Sequence, residues 1–203
     1  MRVSAKGDEV ILGALVKSLS LHQALLEDQK LIETVGTVAE EMIGALTRGQ
    51  KLFFFGNGGS AADAQHLAAE LVGRYERERR ALPAIALTVD TSALTAIGND
   101  YSFEKIFTRQ LEALGSRGDV AVGISTSGKS ANVIHAIRSA KKMGLLTVGL
   151  TGAGGGALAG LADHCICVPS DQTARVQEAH ILVGHILCEL IDEKFAADPD
   201  VFP

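Results

Sequence analysis

One stretch of the chain, residues 51–70, constrains its fold more than any other. Four apolar residues, Leu-Phe-Phe-Phe at 52–55, are followed directly by Gly-Asn-Gly-Gly-Ser at 56–60. A short apolar run that ends at glycines is typical of a buried strand in a parallel sheet. The glycines permit backbone angles that other residues avoid, so a ligand can approach the main chain closely. With Ser60 as a candidate N-cap, the stretch predicts a strand, an anion-binding glycine loop (residues 56–59) and a helix.

The helix predicted after the glycine loop carries His66 and Glu70 four positions apart. Residues at this spacing project from one face of a helix. An imidazole and a carboxylate on one face can bind a metal ion or exchange protons, which is why we single out this pair. A single histidine on an apolar segment usually has a structural role, and we interpret His22, His135 and His164 in that way.

The rest of the chain alternates apolar runs with amphipathic segments. Further strands are predicted at 84–87, 119–124, 146–150 and 165–168, and helices at 91–97, 103–114, 130–143 and 173–195. Five strands that alternate with helices predict a parallel sheet covered on both faces, with ligands at the carboxyl ends of the strands. The last helix is apolar nearly all round, so we expect that another subunit covers part of it.

Two amphipathic helices are predicted before the first strand. Apolar residues recur at helical spacing within 11–19 and again within 31–46, and the second helix is expected to end near Gly49. A helical pair outside an α/β core usually caps that core or packs against another subunit. We interpret residues 1–203 as a single domain, in which 1–49 form an N-terminal helical extension and 50–203 form the α/β core.

Charge and cysteine content exclude several classes of protein. The formal net charge is −5, which provides no basic surface for nucleic acid or for an anionic membrane. No apolar run approaches the roughly 20 residues of a membrane span. Lys17 interrupts the apolar N-terminal stretch and no small-residue cleavage site follows, so no signal peptide is expected. The three cysteines lack zinc-type spacing, and we expect a protein of the reducing cytoplasm.

A second ligand loop is predicted after the strand at 119–124. Residues 123–130 fit the P-loop pattern letter for letter, which by itself would indicate a nucleotide and magnesium. Gly123 and Ile124 continue the strand alternation, however, and this leaves too short a loop to wrap a phosphate chain. The favoured interpretation is a serine loop (residues 125–130) whose hydroxyls and N–H groups hold a phosphomonoester without metal. Hydroxyls that only cap turns and the next helix remain the alternative.

Four segments together resemble the sugar isomerase (SIS) family, and most closely its bacterial phosphoheptose isomerases. These segments are residues 56–66, 98–100, 124–130 and 177–180 with His185. The resemblance covers about residues 8–195. It implies a flavodoxin-like three-layer sandwich with a five-stranded parallel sheet, and a homotetramer with active sites at subunit interfaces. It also implies conversion of sedoheptulose 7-phosphate to D-glycero-D-manno-heptose 7-phosphate, for lipopolysaccharide core synthesis, through an enediol.

The resemblance also implies roles for individual residues. The substrate-binding positions of the family fall on Asn57, Gly58, Gly59, His66, Glu70, Asn99, Asp100, Ser125, Thr126, Ser127, Ser130 and Gln177. Its ligands for one Zn²⁺ per subunit fall on His66, Glu70, Gln177 and His185, and the acid and base fall on Glu70 and His185. Because a zinc-bound carboxylate is a weaker base, Glu70 as ligand, as base or as both stays open. Lys129 stands where asparagine is common, outside every assigned role.

Geometry and resemblance disagree about the last helix. Spacing alone favours His180, three residues after Gln177 and on nearly the same face, whereas His185 lies about 12 Å further along the helix axis than Gln177. The resemblance favours His185, and we follow it, which leaves His180 a structural or supporting role.

Two functions other than isomerase remain open at this point. A related branch of the fold acts as a non-catalytic adaptor that binds DnaA in replication initiation; its pattern lacks the residues at Glu70 and His185, so their presence favours an enzyme. A sugar-phosphate lyase or etherase of the superfamily would need no metal site.

Overall fold

A five-stranded parallel sheet forms the centre of the protein, in the order β2-β1-β3-β4-β5. The computed structural model describes residues 5–197. The strands are β1 (Leu52–Gly56), β2 (Ala84–Ala86), β3 (Val120–Ile124), β4 (Leu146–Thr151) and β5 (His164–Cys167). The helices are α1 (Ala5–Glu27), α2 (Gln29–Thr47), α3 (Gly59–Val72), α4 (Thr91–Asp100), α5 (Ile106–Leu114), α6 (Ala131–Met143), α7 (Gly156–Ala159) and α8 (Thr173–Ala197), with a 3₁₀ turn at Phe103–Lys105.

Helices cover both faces of the sheet, so the predicted three-layer α/β sandwich is confirmed. All five residues of β1 are buried, and alternate side chains enter opposite layers. Leu52 and Phe54 pack in the core with α2, α3 and α8, whereas Phe53 and Phe55 pack in the core with α5 and α6. Full burial of such a side chain stabilises the fold by about 1.5–3 kcal/mol. The side chains of β1 therefore pack against the helices on both faces of the sheet.

Parallel register brings the ends of β1 and β3 to the same edge of the sheet. Gly56, the last residue of β1, is the register partner of Ile124, the last residue of β3. The glycine loop begins at Gly56, and the serine loop begins directly after Ile124. The two loops therefore lie side by side at the carboxyl edge of the sheet, as expected for a ligand site in this class of fold.

The ends of several elements differ from the sequence predictions. The N-cap of α3 is Gly58 and not Ser60, because Gly58 has a positive φ of 58° that starts the helix two residues early. Ser60 is consequently buried in the first turn. The helix α4 continues to Asp100, and the short helix α7 was not predicted.

The N-terminal helix α1 carries a row of exposed apolar side chains. Among its large apolar residues, the exposed ones are Val10, Ile11, Leu12, Leu15, Val16, Leu19 and Leu26. The segment Lys6–Glu27 contains an 18-residue window with a mean hydropathy of 1.3, of which 11% is buried, and by length and composition alone it is apolar enough to cross a membrane. The sequence prediction concerned a continuous apolar run, which polar residues such as Lys17 interrupt here, but these residues lower the mean hydropathy of the window only slightly.

An apolar groove of about 380 Å³ continues this surface between α1, α2 and α8. Leu182 and Ile186 of α8 line the groove and are partly exposed. The sequence predicted that α8 is apolar nearly all round, and the described chain leaves this part of it uncovered.

Candidate metal centre and ligand loops

Three potential metal ligands converge where α3 meets α8. His66 and Glu70 project from one face of α3, and Nε2 of His66 lies 3.3 Å from Oε1 of Glu70. His185 of α8 faces them, with 2.8 Å between its Nε2 and Nε2 of His66. One ligand atom from each residue falls within a group whose members are all within 4.8 Å of one another. We refer to these three residues as the His–Glu–His cluster.

The donor set of this cluster fits a divalent cation such as Zn²⁺. Two imidazole nitrogens face each other at 2.8 Å, yet a neutral imidazole offers one donor and one acceptor, so their contact depends on complementary tautomers. Binding to a cation would not require complementary tautomers, because each nitrogen would offer a lone pair to the ion. Two imidazoles and a carboxylate are typical ligands of catalytic zinc, which keeps a fourth position open. These three residues can therefore hold the ion that the resemblance implies.

Tyr75 forms one wall of the cluster, and sequence reasoning did not identify it. Its ring centroid lies 5.5 Å from that of His185, and the rings of His66 and His185 are 5.1 Å apart. Tyr75 lies just beyond α3 in a segment without regular structure, so no spacing rule pointed to it. Asp63, one turn before His66, has a buried oxygen without a hydrogen-bond partner among the described residues. Burial raises the pKa of Asp63, while the charge of His66 opposes that shift.

Backbone geometry and side-chain hydrogen bonds fix the glycine loop at the start of α3. Gly58 has φ 58° and ψ −121°, a backbone conformation that is unfavourable for residues other than glycine. Asn57 and Asn132 exchange two amide hydrogen bonds of 2.9 and 2.8 Å, which tie the loop to the start of α6. Asn132 is buried and was missed, because a polar residue in the first turn of a helix resembles an ordinary cap. A cavity of about 460 Å³ adjoins the loop and is bounded by α4 and α5.

Gln177 of α8 lies directly on the glycine loop. A Cβ atom added to Gly59 would be 2.3 Å from Nε2 of Gln177, so only glycine permits this approach. Three residues later, His180 is buried, and its Nε2 donates to the carbonyl oxygen of Thr151 at 3.1 Å. Burial lowers the pKa of His180 to about 4, against the opposing effect of this bond, and keeps the imidazole neutral at pH 7. His180 therefore lies outside the His–Glu–His cluster, in a structural position.

The serine loop forms a compact turn at the end of β3. The hydroxyls of Ser125 and Ser130 lie 3.0 Å apart, and the hydroxyl of Ser127 accepts from the backbone N–H of Lys129 at 3.2 Å. Thr126 lies between them, partly buried. Ser130 is the N-cap of α6 but makes no side-chain capping bond, so its hydroxyl faces Ser125 instead. Hydroxyls and the N-terminus of α6 thus meet at one place.

The P-loop interpretation is inconsistent with this loop. Gly123 and Ile124 belong to β3, where they pair with Gly149 and Leu150. The added Cβ of Gly123 would lie 2.9 Å from Val133, so this glycine serves packing. The glycine-rich turn at 152–156, in turn, supports the serine loop, because the N–H of Gly152 donates to the carbonyl of Thr126 at 2.9 Å.

Two predicted substrate-binding residues are not brought into this arrangement. Asn99 and Asp100 are exposed in the last turn of α4 and bond to each other at 2.8 Å. Neither lines the cavity beside the glycine loop. Arg74, just beyond α3, is exposed and pairs with Glu78 at 3.6 Å.

The sheet with two ligand loops at its carboxyl edge defines an α/β protein of the sugar isomerase class, and the SIS domain family model matches residues 18–152. Phosphoheptose isomerase of a Nitratiruptor species is 57% identical over 86% of this chain and 98% of its own length. Phosphoheptose isomerase 1 of Campylobacter jejuni is 55% identical over 86% of this chain and 94% of its own. The solved phosphoheptose isomerase of Neisseria gonorrhoeae superposes with a TM-score of 0.86 and 46% identity, over 92% of this chain and 98% of its own. The chain belongs to the phosphoheptose isomerase family.

Proposed function

We propose that the protein isomerises sedoheptulose 7-phosphate to D-glycero-D-manno-heptose 7-phosphate. The observation that carries this proposal is the His–Glu–His cluster, two of whose residues lie on the helix that follows the glycine loop, in a chain 57% identical to a phosphoheptose isomerase. The adaptor that binds DnaA finds no support, since the relatives are named as isomerases and the cluster includes Glu70 and His185.

In the proposed reaction, two protons move between neighbouring atoms of the sugar. The carboxylate of Glu70 takes a proton from C1 of the ketose and returns it to C2, and the imidazole of His185 transfers a proton between O1 and O2. General acid–base catalysis of this kind contributes about 10²–10⁴-fold. A Zn²⁺ ion, one per subunit, supplies polarisation of the carbonyl when it is bound. His66, Glu70 and His185 would hold this ion, and Gln177, which contacts the glycine loop, would add a further ligand.

The two loops orient the substrate in this proposal. Ser125, Thr126, Ser127 and Ser130 hold the phosphate at the N-terminus of α6, where N–H groups and the helix dipole favour an anion. Asn57, Gly58 and Gly59 bind the sugar near C1 and C2. Asn99 and Asp100 complete the set from a neighbouring subunit, because within one chain they are exposed and do not line the cavity.

We propose further that the protein is a cytoplasmic homotetramer of single SIS domains, with residues 1–49 as the helical extension. The first four and last six residues of the domain lie outside the described chain. The exposed apolar row of α1 and the groove beside α8 support assembly, since contiguous apolar surface of this kind marks an interface. The product is consistent with a role in lipopolysaccharide core synthesis.

Incubation with sedoheptulose 7-phosphate tests the function directly. We expect an aldose heptose 7-phosphate to appear, with exchange of one carbon-bound proton into deuterated solvent, and no reaction with ATP and magnesium. Formation of a lyase product, or no conversion by zinc-loaded protein, would contradict the proposal.

A further inference from the structure

A buried arginine lies at the end of the helix that carries two of the cluster residues. The side chain of Arg79 has no exposed surface, although it belongs to the irregular segment between α3 and β2. Its Nη2 donates to the carbonyl oxygen of Glu70 at 2.9 Å, and its Nη1 donates to that of Leu71 at 2.9 Å. The same Nη1 also reaches the carbonyl oxygens of Gly73 and Arg80. One guanidinium therefore caps the C-terminal turn of α3, and one of its bonds ends on Glu70 itself.

An aspartate of α8 holds this guanidinium. Oδ1 of Asp192 accepts from Nε of Arg79 at 2.5 Å, and the two side chains are 1% and 0% exposed. Oδ2 of Asp192 accepts from the backbone N–H groups of Glu76 and Arg77 at 2.8 and 2.9 Å. Every oxygen of the carboxylate is thus used, and the chain segment after α3 is bound to α8.

Asp192 lies on the same side of α8 as the cluster residue His185. Asp192 follows His185 by seven residues, which is about two helical turns, so both project from nearly the same face. A second contact fixes the spacing of the helices next to His185. A Cβ atom added to Gly184 would lie 2.5 Å from Cδ2 of Leu67, which shows how closely α3 and α8 approach there.

A buried ion pair is weak evidence of a role in stability alone. Removing two charges from water is unfavourable, and apolar side chains of similar volume often stabilise a fold as well or better. In some proteins such a pair instead specifies one geometry of the elements that it joins. Here that geometry links the backbone of Glu70 to the helix face of His185.

We propose that Arg79 and Asp192 are positioning residues of the metal centre. They fix α3 against α8 so that the carboxylate of Glu70 and the imidazole of His185 converge on one ion. The inference rests on the proposed metal site, and its experiment separates the two. Residues that support metal ligands from outside change metal affinity by about 10–100-fold when they are replaced.

The test compares Asp192→Asn with Asp119→Asn. Asp119 is a matched control because it is equally buried and accepts from two backbone N–H groups, of Lys51 and Ser116, and from the ammonium of Lys51. It directly precedes β3, and its partners Lys51 and Ser116 belong to neither α3 nor α8. Zinc dissociation constants are measured by competition with a chromophoric chelator, and melting temperatures are recorded beside them. The visible absorption of the Co²⁺-loaded protein reports the ligand geometry.

We expect Asp192→Asn to weaken zinc binding about 10–100-fold and to change the Co²⁺ spectrum. Asp119→Asn should keep both within about 3-fold of the wild type at a comparable loss of melting temperature. Arg79→Lys retains the charge and loses the branched contacts with α3; it should weaken zinc binding in the same way, and it decides the matter if Asp192→Asn does not fold.

Equal effects of Asp192→Asn and Asp119→Asn on zinc affinity would overturn the inference, as would unchanged zinc affinity and Co²⁺ spectrum in Arg79→Lys. If the wild type binds no zinc, the proposed metal site fails, and the inference fails with it. If the wild type binds zinc and the variants bind it equally well, only the inference fails.

Discussion

At the scale of single residues, the candidate site depends on which atoms of α3 and α8 face one another. The pairing of His66 with Glu70 follows from helical spacing, and the 3.3 Å contact between them confirms that they share a face. Spacing alone favours His180 on α8, whereas the structure brings His185 into the cluster. The spacing argument considers only the distance from Gln177 along α8. The packing of α8 on α3 brings His185 to His66, and His180 is buried against β4. The residue spacing within one helix does not show which of its side chains contact a neighbouring helix.

His185→Asn and His180→Asn therefore have different expected outcomes. His185→Asn removes an imidazole from the cluster, so zinc and activity should both be lost while the fold remains. His180→Asn removes a buried bond to Thr151, which costs about 1–3 kcal/mol of stability, and most of the zinc should remain. Metal content after gel filtration and the melting temperature measure both effects. The reverse pattern of zinc loss would show that the site on α8 is assigned to the wrong residue.

Simultaneous replacement of Ser127 and Ser130 by alanine should weaken substrate binding. Each hydroxyl that donates to a charged phosphate contributes about 1.5–3 kcal/mol, so KM is expected to rise by at least about 10²-fold for the pair. Lys129→Ala serves as the control, because the phosphate proposal gives Lys129 no role. ATP hydrolysis with magnesium that depends on Lys129 would instead support a P-loop.

At the scale of elements, the strands and the order of layers were predictable, and several helix ends were not. The apolar runs at 52–55 and 119–124 identified β1 and β3 because both faces of a central strand are buried. The predicted N-cap of α3, Ser60, was wrong. The observed N-cap is Gly58, and this depends on its backbone angle φ, which the sequence alone does not determine. No local pattern in the sequence indicated the strand order β2-β1-β3-β4-β5.

Gly184→Ala should disturb the contact between α3 and α8. The added methyl group meets Leu67 in a filled core, and overpacking of this kind costs about 1–3 kcal/mol. Zinc affinity should fall as well, since Gly184 precedes His185. Gly36→Ala in α2 is the matched control: nothing lies within 4 Å of its added Cβ, and alanine should stabilise the helix by up to about 1 kcal/mol. Unaltered zinc affinity in Gly184→Ala would mean that this contact does not set the cluster.

At the scale of the whole molecule, the apolar row of α1 is a surface that the described chain leaves exposed. Composition indicated a protein without a membrane segment, yet α1 passes the length and hydropathy criteria for one. A sequence reports how apolar a helix is, but not what covers it. The groove between α1, α2 and α8 continues the row, which is the arrangement expected where copies of the chain meet.

Leu15→Glu in this row should dissociate the assembly. A charge at the centre of an apolar interface is unpaired when buried, so sedimentation should show smaller species than in the wild type. Lys17→Glu changes a residue of the same helix that is already polar, and it should leave the assembly intact. Binding of the wild type to phospholipid vesicles, abolished by Leu15→Glu, would show that α1 contacts a membrane instead.

The central claim is that the His–Glu–His cluster is a zinc site on which isomerisation depends. It is tested most directly by stripping the protein with a chelator and titrating Zn²⁺ back while conversion of sedoheptulose 7-phosphate is followed. We predict no activity in the metal-free protein, and recovery that is linear up to one zinc per chain and then constant. Full activity in the metal-free protein, or recovery that does not level off at one zinc per chain, would contradict this account.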